Sequence, residues 1–484
     1  LNRTRLRHWL TRNLETGFAQ PLPATEPALA RELGTVSSIA ILAGTVIGTG
    51  IFLVPSTMAR ETGSLSLVFA VWIFGALLSM AGALTYAELG STFPEAGGEY
   101  VFLKKAYGPL WGFLFGWQQI VIGKTGSISA IAIAFSIFLS YLVPQLNLNW
   151  IDYSIGRHQF IINGLQVTAI ISLFMVTYIN CSGVATGGNL QSVLTIIKMS
   201  AIFILVAIIF ASDQGNWGYF SEATPIQKKG VVEWISSLGA ALAAALWAFD
   251  GWNNLTMVGG EIKDPHKTIP RVLIYGVVAV ASIYIITNIS FFFASPFSAV
   301  QESQHIAQDI ATKVFGINGG LFLSIAALVS TFASLNGSTL SGARVFYAMS
   351  KDGFLPVALA KIQYTRRTPT NALITQFFLA SSLILIFGRD QQAFERVLDY
   401  ALFGTWGFYS ITAIAVIVLR YRHPEMERPY NTPGYPWVPL LFSLVGLLFC
   451  ISIAFRRPSE TVFGLFLLGM GLPIYLFYRY RKAN

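Results

Sequence analysis

The stretch Gly44-Thr45-Val46-Ile47-Gly48-Thr49-Gly50-Ile51-Phe52 decides how this chain folds. It lies inside an apolar run over residues 36–60, long enough to cross a bilayer, yet Gly44, Gly48 and Gly50 interrupt its middle. Each glycine lowers helix propensity and lets the backbone unwind. Unwound backbone at membrane depth is tolerated only where protein or a water-filled cavity satisfies its polar groups. Five apolar runs later, the run over 234–260 is interrupted in the same way by Trp247-Ala248-Phe249-Asp250-Gly251-Trp252-Asn253-Asn254. Interrupted spans at corresponding positions of two halves point to an inverted repeat with a site at the midplane. The Gly44 and Gly48 spacing alone also suits plain close packing of helices; the matched second break favours a site.

The rest of the chain fits a bilayer. Of its 484 residues, 54% are hydrophobic and 11% charged, and the mean hydropathy is +0.59. Soluble domains carry about 25% charged residues, so a water-soluble globular enzyme and a disordered chain are excluded. A hydrocarbon core takes about 20 apolar residues per helix. Twelve stretches qualify: 36–60, 65–91, 109–142, 160–180, 190–211, 234–260, 271–295, 317–348, 370–388, 394–419, 435–455 and 459–479. The expected fold class is an all-α polytopic membrane protein with 12 transmembrane helices. Its expected parts are a cytoplasmic N-terminal tail over 1–34, a first five-helix repeat over 35–215, a second over 216–420, and helices 11–12 with a cytoplasmic C-terminus over 421–484.

With both termini inside and residues at span ends counted with the adjoining segment, inner segments hold 21 of the 32 Lys and Arg and outer segments nine, which leaves Lys124 and Lys198 within spans. The positive-inside rule therefore favours cytoplasmic termini, and the net charge of +9 reports topology and contact with anionic headgroups instead of nucleic acid. Neither Cys181 nor Cys450 falls in an outer loop, so no extracellular disulfide framework is expected. No short apolar stretch with a cleavage site follows the basic tail, so no cleaved signal peptide is expected. His8, His158, His266, His305 and His423 lie outside the spans without metal-ligand spacing. No P-loop, GxSxG or CxxC motif occurs, and no metal or cofactor is expected.

The two breaks carry their own chemistry. The half-helix starting after Gly50 exposes N–H groups and a positive dipole end suited to a carboxylate, from Thr49, Gly50 and Ile51 beside Gly48. The half-helix ending near Phe249 offers carbonyls suited to an ammonium, from Trp247, Ala248 and Phe249 together with Val46. A zwitterion with both groups on one carbon, an α-amino acid, fits the pair.

Gly44 to Phe52, Phe249-Asp-Gly-Trp-Asn253 followed by Glu261 and Pro265, Asn336-Gly-Ser with Ser341-Gly-Ala-Arg344 and Ser350 to Pro356, and His423-Pro-Glu-Met-Glu-Arg-Pro429 stand in order along the chain. In these motifs, from about residue 33 to 480, the chain resembles the L-type branch of the amino acid–polyamine–organocation superfamily. The resemblance implies a LeuT-like fold: five plus five inverted repeats with broken helices 1 and 6, and two extra helices. It also implies sodium-independent exchange of L-amino acids by alternating access. Lys198 matches a lysine that bridges broken helix 1 and helix 8, where sodium-coupled relatives hold a cation. Helix 8 offers Ser330, Ser334, Gly337, Ser338 and Ser341 on one face. A charge in mid-span is functional by default, a snorkelling lysine being the alternative; Lys198 is also a candidate to carry a coupling proton.

Trp247 matches the family's aromatic outer gate, plain packing being the alternative, and its indole favours a smaller pocket. Ser127 matches a position beside the substrate. Lys124, on its face of helix 3, reads more as structural. Thr405 falls where the large-neutral branch has Asn, which weakens transfer of that branch's preference. Asp250 either accepts a cationic side chain or caps the following half-helix. Arg344 and Glu88, near inner helix ends, are candidates for a charge network at the inner gate. Gly97-Gly98-Glu99-Tyr100 opens a short helix ending at Gly108. Eukaryotic members pair with a heavy chain through a cysteine in the loop after helix 3; here residues 143–159 contain none, so no disulfide-linked partner is expected and a stand-alone bacterial inner-membrane carrier fits. The expected function is exchange of small or medium neutral L-amino acids. Transport of cationic plus neutral amino acids, or proton symport, is the alternative. A channel lacks its ring of pore residues, and an enzyme its clustered catalytic set.

Overall fold

The computed structural model describes residues 28–48, 50–155, 158–221, 230–303, 305–388, 391–456 and 458–483. Thr49 and most of the expected N-terminal tail lie outside them. Span 1 is two helices. α1 (Thr35–Val46) ends where Ile47 turns to ψ 86°, and α2 (Gly50–Thr62) restarts at the third glycine. Span 2 is α3 (Leu65–Thr92). After it comes the short α4 (Glu99–Tyr107), entered through Gly97 and Gly98 and left through Gly108, all at positive φ.

Span 3 is continuous but not uniform. α5 (Pro109–Gln118) passes through a π-helical turn, Gln119–Gly123, into α6 (Lys124–Ser140). Such turns insert a residue and often mark functional sites. The loop after span 3 forms a hairpin of β1 (Asn149–Ile155) against antiparallel β2 (His158–Asn163), outside the helical bundle. The hydropathy pattern starts span 4 at residue 160; α7 (Gly164–Cys181) starts later because Asn163 and Gln166 close a capping box, with Gln166 N–H donating to Asn163 Oδ1 at 2.9 Å and Asn163 N–H to Gln166 Oε1 at 3.0 Å.

α8 (Val184–Ala211) is span 5. Span 6 breaks: α9 (Val231–Ala248) ends at Phe249, and its inner part is only α10 (Asn254–Met257) and a 3-10 turn, Gly259–Glu261. α11 (Pro265–Ala294) is span 7, and α12 (Phe297–Glu302) and α13 (Ile306–Phe315) lie in the loop before span 8, α14 (Ile317–Lys351). α15 (Thr370–Phe387), α16 (Gln391–Arg422) and α17 (Trp437–Arg456) are spans 9 to 11, and α18 (Pro458–Gly469) with α19 (Gly471–Ala483) forms span 12. Eleven spans among the described residues are long and apolar enough to cross a membrane. Span 6 is the twelfth; its apolar part, Glu233–Ala248, is too short alone because the break ends it. The chain is thus an all-α polytopic membrane protein of the LeuT type. The face that carries α4 and the end of span 8 is called the inner face below, and the opposite face the outer one.

Two apolar cores organise the bundle. Ile128, Ala132, Leu173, Val176, Leu335, Ala380 and Ile384 tie spans 3, 4, 8 and 9 into one body. In the other body, α11 packs along α3 and α9 against α2, and Trp72, Phe249 and Tyr284 form an edge-packed aromatic cluster with centroids 5.1–5.7 Å apart. The two breaks lie along the polar seam between these bodies.

Candidate functional site

The breaks meet through glycine. A Cβ on Gly50 would lie 2.9 Å from both Cα and Cβ of Ala248, so only a bare Cα lets the start of α2 touch the end of α9. Gly251, at φ 109°, turns the chain after Asp250, and its carbonyl lies 3.2 Å from Thr45 Oγ1, whose one proton is closer to Ile41 O at 2.6 Å. Tyr284 of α11 joins the two breaks directly, its hydroxyl lying 2.9 Å from Val46 O and 2.9 Å from Ala248 O. This qualifies the expected ammonium site. Val46 O also accepts the Gly48 N–H at 2.8 Å, and Trp247 O accepts the Asp250 N–H at 3.2 Å. A hydroxyl has one proton, so Tyr284 serves two carbonyls with a single donor, and one of them keeps spare capacity. Nothing in the sequence marks Tyr284, because aromatics are common in spans.

Lys198 reaches the break of span 1 from α8. Its Nζ donates to Gly44 O at 2.7 Å and to Ile47 O at 2.5 Å. Ser334 Oγ donates to the same Gly44 O at 3.1 Å, and Ser330 Oγ to the same Ile47 O at 3.1 Å. The link to span 8 therefore runs through two shared carbonyls and not through a contact from lysine to serine. No carboxylate pairs with Lys198 among the described residues. Its charge, in a side chain 1% exposed, is met by backbone dipoles freed by the unwinding.

Val46, Gly48, Gly50, Ser127, Trp247, Ala248, Asp250, Thr405, Ser334 and Ser338 line one cavity of about 120 Å³. Ile51 and Phe249 are buried outside its lining, and Thr49 lies outside the described residues. Asp250 accepts the Tyr409 hydroxyl at 3.0 Å. It does not occupy the N-cap of α10; that position belongs to Asn253, whose side chain makes no cap bond. The π-helical turn brings Gln119 and Gly123 into the wall, and Lys124 stands there too, donating to Asn254 Oδ1. The sequence pattern assigned Gln119, Asn254 and Tyr409 no role, because it does not reveal the register change in span 3 or the direction the chain takes after the break in span 6.

At the inner face the expected charge network resolves into two separate groups, Glu88 between Arg420 and Arg428 and Arg344 with Glu261. Glu88 accepts from Arg420 at 2.8 and 2.7 Å and from the Thr432 N–H at 2.8 Å. Arg344 grips Glu261 at 2.7 and 2.9 Å, both side chains buried. Residue 33 adds a strand-like contact, Leu33 N–H donating to Glu261 O and Lys263 N–H to Leu33 O, each at 2.9 Å. α4 is anchored to the end of span 8 through Asp352, which accepts from Lys104 Nζ at 2.6 Å and from Tyr100 Oη at 2.7 Å.

Comparison with known proteins identifies the family. The family model described as amino acid permease matches residues 33–472. The serine/threonine exchanger SteT of Bacillus subtilis is 33% identical over 462 residues, covering 94% of this chain and 98% of the exchanger. The large neutral amino acids transporter small subunit 2 of Mus musculus is 31% identical, covering 93% and 81% of the two chains. The b(0,+)-type amino acid transporter 1 of the mouse is 28% identical, covering 94% and 89%. A broken-helix cavity and relatives that match over most of their length lead to one conclusion: the chain belongs to the amino acid permease family, in the L-type branch of the amino acid–polyamine–organocation superfamily, and it transports amino acids.

Proposed function

We propose that this chain is a sodium-independent exchanger of small neutral L-amino acids, working by alternating access in a cell membrane with its inner face toward the cytoplasm. The observation that carries the reading is the Lys198 ammonium on Gly44 O and Ile47 O, flanked by Ser330 and Ser334. A fixed cation there does the electrostatic work of a bound metal ion, which leaves sodium without a role. The substrate carboxylate meets the N–H groups of Gly50 and Ile51 at the start of α2, together with that of Thr49. Its ammonium meets carbonyls of both breaks, sharing them with or displacing the Tyr284 hydroxyl. The side chain faces Ser127, Asp250 and Thr405, and Trp247 closes the outer path.

Size supports small substrates. A cavity of about 120 Å³ is smaller than one of about 150 Å³, which holds a ligand of about six heavy atoms, so in this state it excludes large side chains and favours the smallest amino acids. Proteoliposomes loaded with unlabelled L-serine are expected to take up labelled L-serine faster than empty ones, equally in sodium and choline buffers. Uptake indifferent to internal serine overturns exchange, and uptake that requires sodium overturns the role given to Lys198. A second reading, transport of cationic as well as neutral amino acids, is favoured by the Asp250 carboxylate in the cavity wall. Competition by L-arginine that disappears in Asp250→Gly supports it.

A further inference from the structure

The inner part of span 6 is held from two sides by ionisable groups that substrate binding leaves unused. Asn253 Nδ2 donates to Glu99 Oε1, while the next residue, Asn254, accepts from Lys124 Nζ. Glu99 opens α4 and Lys124 opens α6, so the two holds come from different elements. Backbone contacts reinforce them. Gly97 N–H donates to Met257 O at 2.9 Å, and a Cβ on Gly98 would lie 2.8 Å from Thr256 Oγ1. These contacts close the floor of the cavity, where Asn253, Asn254 and Met257 line it.

Glu99 is an unusual group to find there. Its side chain is 0% exposed, and Oε2 has no hydrogen-bond partner. A buried carboxylate with an unsatisfied oxygen is costly, and a neutral carboxylic acid much less so. The charged and titratable groups facing it are Lys124 from span 3, Asp250 from span 6, Tyr86 from span 2 and Tyr409 from span 10. Burial is the largest influence and pushes the Glu99 carboxyl up to about 7, against the opposing pull of the Asn253 hydrogen bond and the Lys124 charge.

We propose that Glu99 is a proton-binding site of the inner gate, protonated while Asn253 and Asn254 close the cavity floor and ionised when the inner part of span 6 swings away. On opening, the carboxyl O–H bond breaks, the proton passes to water at the inner face, and the electron pair stays on a carboxylate that water can now hydrate. Closure reverses each step. Lys124 favours the ionised form and Asp250 opposes it, so the balance sits where cytoplasmic pH can move it. The site goes beyond the exchange reading and depends on it only for a transport assay.

Infrared titration of the full chain in lipid tests the site without any substrate. The expected result is a protonated-carboxyl band that fades as pH rises through about 7 and is missing in Glu99→Gln. A band unchanged in Glu99→Gln overturns the proposal. If that variant does not fold, Glu99→Asp moves the acid within the same pocket, and an unshifted midpoint overturns it equally. In proteoliposomes, the ionised fraction changes from about 10% to about 90% over two pH units, so L-serine exchange is expected to change several-fold with internal pH. Glu99→Gln should be slower and flat across that range, and a wild-type pH profile in this variant overturns the coupling. A titrating band lost in Glu99→Gln, with no serine exchange by the parent, leaves the proton site standing and removes the substrate reading instead.

Discussion

At Gly50 an added methyl group would lie 2.9 Å from two atoms of Ala248, one of them backbone. The clash has no flexible side chain to absorb it, so Gly50→Ala is expected to cost about 1–3 kcal/mol and to abolish uptake by pushing the breaks apart. Thermal unfolding and labelled uptake in the same preparation check both effects. Lys198 is the complementary case. Lys198→Ala removes the only charged donor to Gly44 O and Ile47 O described here, while Ser330 and Ser334 still donate to them. The protein is therefore expected to fold and reach the membrane but to lose at least about 90% of its exchange, since a discrimination of about 1.4 kcal/mol between states is already tenfold. Both residues are legible in sequence because each is chemically foreign to an apolar run. Tyr284 is not, since a tyrosine in a span reads as packing until the two carbonyls it joins are seen side by side.

α4 shows what an element adds to its residues. Its start at Gly97-Gly98 and its end at Gly108 can be read from the glycines alone, but its packing onto the inner part of span 6 depends on how the chain returns after Asp250. That packing buries Glu99 and raises its pKa above the unfolded value. The folded state then binds the proton more tightly than the unfolded state. Its stability should be greatest below the ordinary carboxylate range and fall as pH rises through about 7. Glu99→Gln is expected to remove that fall, which denaturation at two pH values on either side will show. Span 3 gives a parallel lesson. The run over 109–142 reads as one helix, yet the π-helical turn Gln119–Gly123 rotates Lys124 and Ser127 relative to the first half. Apolar periodicity does not report a one-residue insertion when residues on every side are apolar.

Across the whole molecule, the ion pairs described here gather at the inner face. Arg344 on span 8 and Glu261 at the end of span 6 join the two bodies across their seam, and Glu88 ties span 2 to Arg420 of span 10. The structure is therefore closed where these pairs lie, and under the proposed alternating access the opening of that side parts the Arg344–Glu261 pair. Arg344→Met leaves Glu261 buried without a partner and should destabilise by about 3–5 kcal/mol, whereas Arg344→Met with Glu261→Gln should recover much of that loss. Unfolding of the single and double variants measures the difference. An unaltered single variant would mean that the pair is hydrated and holds nothing shut.

The sequence by itself determined that the chain crosses a membrane twelve times, that spans 1 and 6 break, and that Lys198 and Asp250 are the charges out of place. Composition, run length and helix-breaking residues are local properties, and in a bilayer an apolar run has few structures open to it. Only the tertiary structure decided which carbonyls Lys198 holds, that Asp250 meets Tyr409 instead of capping α10, that Glu88 and Arg344 belong to different groups, and that Glu99 is buried under the cavity. Those facts depend on contacts between segments up to 332 residues apart, as from Glu88 to Arg420. Partner choice over such separations is fixed by packing geometry, which no local pattern encodes.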